Sequence, residues 1–158
     1  MKRQLMTIAC ILGLAGSAYA ADFKFDQVTC YSGPTHFIQH ANGIIAGSFE
    51  AIGGVPGTEG TPMYMMSGRC VGAFTLINGE VNDNGSCEYW NAAGDKYFGV
   101  FARKGDPAKA EGTWHFVNGT GKFAGITGDS KWMSVTNFPP VPNVLTTCNH
   151  EWGTYNLK

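Results

Sequence analysis

The fold is decided by the stretch Gly72-Ala73-Phe74-Thr75-Leu76-Ile77-Asn78-Gly79-Glu80-Val81. An Asn-Gly dipeptide between two strand-like runs is the strongest short signal of a two-residue β-hairpin. If this dipeptide forms the turn, counting outward from it brings Cys70 opposite Cys87 at a non-hydrogen-bonded pair. Opposing Cα atoms at such a pair lie about 4.5 to 5.5 Å apart, which suits a disulfide. The stretch therefore predicts a disulfide-linked hairpin, provided that Gly85 introduces no bulge.

The first twenty residues have the three parts of an export signal. Lys2 and Arg3 give a positive start, residues 5–15 form an apolar core, and Ala18-Tyr19-Ala20 supplies the small residues of a cleavage site. We therefore expect residues 1–20 to be removed and residues 21–158 to form a single domain in the periplasm or outside the cell. The apolar core is shorter than the about 20 residues of a membrane-spanning helix, and no second candidate follows, so we expect no membrane span.

Four cysteines remain after the leader is removed, and four cysteines allow three pairings. With Cys70 paired to Cys87, elimination pairs Cys30 with Cys148, which joins the first and last strands of the domain. A sheet whose two ends meet is a closed barrel. The alternative is a metal-binding set of thiols, but no pair of these cysteines has the short spacing of a zinc site. We expect two disulfides and no metal.

Strand-like runs separated by turn signals recur along the chain. The eight predicted strands lie near residues 23–32, 36–52, 63–77, 80–91, 96–103, 112–117, 122–135 and 144–157. Glycine makes up 20 of the 138 mature residues, about twice the usual frequency of roughly 7%, which argues against long helices. The sequence therefore predicts an all-β protein, an eight-stranded antiparallel closed β-barrel with two disulfides.

The turn after Val117 predicts a second hairpin. A four-residue connection over 118–121 places Phe116 opposite Phe123 and Trp114 opposite Gly125. A Trp side chain that lies over a glycine on the next strand stabilises such a pair.

The same region carries a family resemblance. The strand-turn-strand signature of the allene oxide cyclase and dirigent barrels, and of related bacterial exported proteins of unassigned role, is similar to Gly112-Thr113-Trp114 followed by Asn118-Gly119-Thr120-Gly121-Lys122-Phe123-Ala124-Gly125-Ile126-Thr127-Gly128. The resemblance implies an eight-stranded barrel with an apolar cavity. The plant members bind hydrophobic or phenolic molecules and guide cyclisation or radical coupling, commonly as trimers, so a homo-oligomer is left open. This chain has no counterpart of the plant enzymes' catalytic residues.

Two titratable residues are candidate acid or base groups. His115 is the first candidate, because histidine is a common acid or base group in enzymes. It lies between Trp114 and Phe116, so it points outward if those rings line the lumen and inward if they form a subunit interface. Glu88 is the second candidate, because a carboxylate inside a barrel is costly to bury unless it is paired or functional. The alternative is an exposed ion pair between Glu88 and its expected cross-strand partner, Arg69.

The histidines do not predict a metal site. His36 and His40 lie four residues apart on a predicted strand, which separates them by about 14 Å. A cluster of His36, His150 and Glu151 is conceivable if the first and last strands are neighbours. We expect no metal and no cofactor.

The chain's 4 Trp, 6 Tyr and 10 Phe exceed what the interior of a small barrel holds, so some face solvent, a ligand or another subunit. Apolar pockets commonly open at a barrel rim. Tyr64 and Met66 beside the loop 55–62, and Phe138 in the proline-rich connection, are expected at one mouth, unless they plug the barrel ends. The ligand-binding candidates are Tyr64, Met66, Tyr89, Trp114, Phe116 and Phe123.

Three functions remain open. The leading hypothesis is an exported barrel that binds a small hydrophobic or aromatic molecule. The second is an isomerase, cyclase or coupling-guide enzyme that uses His115 or Glu88, and the third is a structural or partner-binding envelope protein with a solid interior. Without Lys2 and Arg3 the chain has nine basic and twelve acidic residues, and this net charge of −3 argues against binding to nucleic acid.

Overall fold

Eight antiparallel strands form a closed barrel in a computed structural model of the protein, which describes residues 21–135 and 141–158. The strands are β1 (Ala21–Gln39), β2 (Ile45–Val55), β3 (Met66–Ile77), β4 (Glu80–Trp90), β5 (Lys96–Gly105), β6 (Gly112–Gly119), β7 (Thr127–Ser134) and β8 (Val144–Leu157). Each strand pairs with its neighbours in sequence, and β1 also pairs with β8. The predicted all-β barrel is confirmed, while the predicted leader lies outside the described residues.

The β3–β4 hairpin has the predicted register. Cys70 faces Cys87, and the two residues form a disulfide with a Cα–Cα distance of 4.0 Å. Asn78 and Gly79 have positive φ angles of 53° and 82°, as a type I′ turn requires. Gly85 faces Gly72 without a bulge.

The barrel closes between its first and last strands. The β1–β8 register runs from Ala21 opposite Leu157 to Pro34 opposite Val144, and the Cys30–Cys148 disulfide lies within it. Closure leaves the sheet without a free edge, which is the usual protection of an all-β fold against pairing with other chains. Among the described residues, no helix is long and apolar enough to cross a membrane.

The predicted break between the first two strands, at residues 33–35, is wrong. The first strand continues to Gln39, and the chain reverses over residues 40–44, where Asn42 has a φ of 75°. Pro34 pairs with Val144 of β8, whereas the pairing of β1 with β2 skips residues 33 and 34. A proline without an N–H group is tolerated in a strand where one ladder is interrupted.

The predicted register of the second hairpin is also wrong. Trp114 faces Ser130 rather than Gly125. Phe123 lies in a short 3-10 helix, Gly121–Phe123, and is fully buried. Its aromatic ring therefore turns into the barrel end instead of extending a strand, and Gly125, with a φ of 74°, allows the chain to turn back toward β7.

The two ends of the barrel differ. The closed end, as we call it, holds the β2–β3, β4–β5 and β6–β7 connections, and its buried apolar side chains are Met63, Met66, Phe123 and Ile126. The opposite end, called the open end, holds the other connections between consecutive strands. The loop 55–62 therefore lies at the closed end. Phe138 itself lies outside the described residues.

Candidate functional site

Side chains that alternate along each strand line the lumen. On β6, Trp114 and Phe116 are buried, with 9% and 3% of their surface exposed, whereas His115 between them is exposed. The strand pattern left open which of these faces points inward. The aromatic face lines the interior, and His115 lies on the outer wall.

The lumen contains a cavity of about 140 Å³. Its wall is rich in aromatic residues and includes Phe25, Tyr89, Tyr97, Phe101, Trp114, Phe116 and Trp132. The rings pack against one another, as in the stack of Tyr89 on Tyr97 with centroids 4.7 Å apart. Since an apolar cavity of about 150 Å³ holds a benzene molecule, the volume suits one aromatic ring.

A cluster of polar groups lies in the aromatic wall. The Tyr31 hydroxyl donates to Glu151 Oε1 at 3.0 Å, and the Thr29 hydroxyl donates to Glu151 Oε2 at 3.1 Å. The Tyr31 and Tyr89 hydroxyl oxygens are 2.7 Å apart. The Tyr89 oxygen also lies 3.8 Å from Sγ of Cys70, whose disulfide with Cys87 forms part of the cavity wall.

Burial changes the acidity of these groups. Desolvation raises the pKa of the Glu151 carboxyl, and hydrogen bonds from Tyr31, Thr29 and Gln27 oppose that rise. Burial also raises the pKa of Tyr31 and Tyr89 well above the usual range of a phenol. Protonation of the carboxyl and the two phenols is therefore favoured over a wider pH range than in water, which is a common property of functional sites.

A second polar group lines the same cavity. Arg103 donates from Nε and Nη2 to Asp83 Oδ2, at 3.0 and 2.5 Å, and its guanidinium lies 4.8 Å from the ring centre of Trp132. Asp83 Oδ1 is buried and has no hydrogen-bond partner. Burial raises the pKa of Asp83, and Arg103 opposes this effect. One luminal acceptor atom is thus left unused.

The predicted ligand-binding residues fall into three groups. Tyr89, Trp114 and Phe116 line the cavity. Met66 and Phe123 are buried at the closed end, outside the cavity lining. Tyr64 is 43% exposed in the β2–β3 connection.

Neither predicted acid or base group lines the cavity. His115 lies outside the barrel, with its Nδ1 2.6 Å from Asp129 Oδ1. Glu88 also lies on the outer wall and forms an ion pair with Lys96 at 3.1 Å. The predicted ion pair of Glu88 with Arg69 is wrong, because Arg69 faces Glu88 in the register but binds Glu50 at 2.9 Å.

The conceivable metal cluster does not form. The β1–β8 register places His150 opposite Val28, and His36 lies eight residues farther along β1, roughly 26 Å away by strand rise. The His150 ring instead approaches Asp26 at 2.7 Å. Within the described ranges, no group of three or more His, Cys, Asp or Glu side chains is placed to hold a metal.

The polar cavity residues were missed from the sequence, among them Tyr31, Asp83, Arg103 and Glu151. The alternation of β8 could have indicated the position of Glu151. Alternate residues of a strand share one face, so Glu151 shares its face with Leu145 and Tyr155, whereas Cys148 lies on the other face. An apolar inner face on β8 would have placed Glu151 inside. Asp83 and Arg103 are ordinary surface residue types, and only their cross-strand pairing between β4 and β5 shows that they share the lumen.

The fold is similar to that of solved dirigent proteins. The pterocarpan synthase dirigent protein GePTS1 superposes with a TM-score of 0.51, at 10% identity over 90% of this chain and 88% of the other. The pterocarpan synthase dirigent protein PsPTS1 superposes with a TM-score of 0.48, at 11% identity over 89% of this chain and 96% of the other. No protein-family model matches the chain, and the search of curated proteins found no match. At this identity the likeness concerns the fold alone, and it confirms the dirigent-like and allene oxide cyclase-like barrel. The bacterial exported branch stays a prediction.

Proposed function

We propose that the barrel binds one small hydrophobic or aromatic molecule in its lumen. The observation that carries this proposal is the cavity of about 140 Å³ with an aromatic wall and a few buried polar groups, which is the usual composition of a small-molecule site. Near the open end, Phe49, Phe101 and Leu145 are only partly buried, so we infer that the ligand enters there. The cavity argues against the structural hypothesis, which requires a barrel filled by its own side chains.

We also propose that the protein works in an oxidising compartment, the periplasm or the cell exterior. The two disulfides support this placement, because structural disulfides persist in such compartments and are rare in the cytosol. The predicted leader, residues 1–20, would deliver the chain there.

Tryptophan fluorescence tests the binding proposal. Trp114 and Trp132 line the cavity, whereas Trp90 and Trp152 have side chains on the outer wall, by strand alternation. We expect one-ring aromatics such as toluene and benzyl alcohol to change the emission in a saturable way, with a Kd on the order of 100 μM. The change should persist in W90F/W152F and be largely lost in W114F/W132F.

A cavity-filling variant provides the matched control. Ala51 lines the cavity and is 1% exposed, so Ala51→Leu should abolish binding by occupying the volume. Ala73→Leu adds the same atoms to an exposed position of β3 and should leave binding unchanged. Absence of saturable binding below about 1 mM, or equal binding by both leucine variants, would reject the proposal.

A second candidate function is acid–base catalysis in the cavity, as in an isomerase or cyclase. Glu151 favours this candidate, because it is a luminal carboxyl with a raised pKa beside two tyrosine hydroxyls. Turnover of a panel of hydrophobic isomerase substrates would be compared in Glu151→Gln, His115→Ala and Glu88→Gln. Activity lost only in Glu151→Gln supports the luminal mechanism, whereas activity lost in either other variant supports the acid or base groups predicted from the sequence.

A further inference from the structure

The charges inside the barrel do not balance. Glu151 and Asp83 are the two carboxyl groups of the cavity wall, and Arg103 is its one cationic side chain. Arg103 is engaged with Asp83 through two N–H groups. In the part of the chain that the structure describes, the lysine and arginine ion pairs involve other acids, and none involves Glu151. Among the described residues, Glu151 is therefore a luminal carboxyl group without a lysine or arginine partner, and His150 on the outer wall acts on it only through its charge.

Two acceptor atoms of the cavity wall have hydrogen-bonding capacity that the protein does not use. The Tyr31 hydroxyl donates its proton to Glu151, so in the 2.7 Å contact between the two tyrosines the donor is Tyr89. A hydroxyl has one proton and two lone pairs, which leaves the Tyr89 oxygen able to accept a bond from a ligand. Asp83, whose side chain is 9% exposed, has the unpartnered acceptor Oδ1. Both atoms favour a ligand that donates hydrogen bonds.

The rings beside this cluster favour a positive charge. Tyr97 stacks on Tyr89, and Trp114 meets Tyr89 edge to face with ring centroids 5.7 Å apart. Aromatic faces attract cations, most strongly where water is excluded. The contact of the Arg103 guanidinium with Trp132 is an example of this interaction within the same cavity wall.

We propose that the cavity selects a small aromatic primary amine, bound as its ammonium ion against the Glu151 carboxylate and the Tyr89 hydroxyl oxygen. This inference rests on the proposed function, because it specifies the class of ligand for the same cavity. An ammonium group supplies three donors and the opposite charge that Glu151 lacks. A neutral molecule of the same shape supplies no such charge and gains nothing from ionisation of the carboxyl, because a buried carboxylate without a counter-charge is unfavourable. The raised pKa of Glu151 agrees with a carboxyl that lacks such a partner.

A matched pair of probes tests the inference in the purified protein. Benzylamine is an ammonium ion at pH 7, and benzyl alcohol has nearly the same shape without the charge. We expect benzylamine to bind about tenfold more tightly, as a charge-assisted hydrogen bond and a cation–π contact together predict. The preference should disappear in Glu151→Gln, which keeps the side-chain shape, and persist in Glu80→Gln, which removes an exposed carboxyl.

The outcomes separate this inference from the proposed function. Benzyl alcohol bound with unchanged affinity by Glu151→Gln shows that the variant still folds and retains its cavity. If the original protein binds benzyl alcohol as tightly as benzylamine, or more tightly, the inference is wrong but the proposed function is still supported. An amine preference that survives Glu151→Gln also overturns it. If neither probe binds, the proposed function fails, and the inference fails with it.

Discussion

Glu151 is a carboxyl group in an environment very different from that of a free side chain. It lies on the inner face of β8, opposite Gln27 of β1, and its carboxyl oxygens accept hydrogen bonds from Tyr31 and Thr29. These neutral donors favour the charged carboxylate, but burial favours the protonated acid more strongly, so the pKa of Glu151 is raised. A bound cation would lower the pKa of Glu151 again, because it favours the carboxylate.

This pKa shift makes stability depend on pH. Between the ordinary carboxyl pKa of about 4.3 and the raised pKa of Glu151, the folded protein holds a proton that the unfolded chain has lost. The free energy of unfolding therefore falls as pH rises through this window. We expect the free energy of unfolding of Glu151→Gln to fall less between pH 4 and pH 8 than that of the original protein. The urea midpoint at each pH measures this difference.

Other groups near Glu151 set the background of this experiment. Tyr31, Tyr89 and Tyr97 keep their protons throughout the range, because burial raises the pKa of each. The charge of His150 lowers the pKa of Glu151, and Asp83 contributes a slope of the same sign as that of Glu151. Glu80→Gln should follow the original protein. Parallel curves for the original protein and Glu151→Gln would contradict the assignment.

The sequence identified part of the site, for a physical reason. Tyr89 and Trp114 belong to strands in which aromatic residues alternate with polar ones, so their inclusion in a barrel wall could be predicted, although the alternation left open which face points inward. Tyr31 and Glu151 meet through the pairing of β1 with β8, which depends on a contact between distant parts of the chain. A carboxyl group has no hydrophobic signal, so its inward position follows only once the faces of both strands are known.

At the level of the elements, glycines on one strand accommodate tryptophan rings from the next. A Cβ atom on Gly99 of β5 would collide with the Trp114 ring of β6, and a Cβ on Gly112 of β6 would collide with the Trp132 ring of β7. The predicted partner of Trp114, Gly125, is wrong, because the glycine that its ring covers is Gly99 on the opposite neighbouring strand. These pairs let large rings lie flat against the barrel wall and leave the cavity open.

We expect Gly99→Ala to destabilise the protein by about 2 kcal/mol, because the added methyl group forces the Trp114 ring from its position. The shifted ring would also weaken the binding of aromatic ligands in the cavity. Gly54→Ala is the matched control, since a Cβ at this strand position meets nothing closer than 3.8 Å, and its stability should change by less than about 1 kcal/mol. Urea unfolding of both variants measures the contrast, and equal destabilisation would contradict this role of Gly99.

The two hairpins show which registers a sequence determines. In the β3–β4 hairpin a two-residue turn allows one pairing of the two strands. Counting residue pairs outward from that turn predicted the Cys70–Cys87 disulfide correctly. Between β6 and β7 the connection contains a short helix in which Phe123 is buried. An apolar residue that fills a barrel end cannot be distinguished by sequence from an apolar residue of a strand. The connection between β6 and β7 was therefore predicted to be too short.

At the scale of the whole molecule, the disulfides hold the barrel at two different levels. Cys70–Cys87 closes a separation of 17 residues within one hairpin, whereas Cys30–Cys148 closes a separation of 118 between the first and last strands. Loop-closure entropy assigns about 3 and about 5 kcal/mol to these two bridges. Only the longer bridge joins the strands at which the sheet would otherwise have free edges.

Hydrogen exchange distinguishes these roles. In Cys30→Ala/Cys148→Ala we expect the amides of the β1–β8 ladder to lose protection first. Without the disulfide the two closing strands can separate locally, while the rest of the barrel stays folded. In Cys70→Ala/Cys87→Ala the same ladder should stay protected, since the affected hairpin is still held by its two-residue turn.

Separation of β1 from β8 exposes two unpaired strand edges, which are templates for association with other chains. The Cys30→Ala/Cys148→Ala variant should therefore also aggregate at lower denaturant or temperature than the other double variant, as light scattering would show. Similar loss of β1–β8 protection in both double variants would mean that the hairpin disulfide, rather than the closing one, keeps the barrel shut. In that case the cavity would depend on the β3–β4 wall, and ligand binding would be lost from Cys70→Ala/Cys87→Ala first.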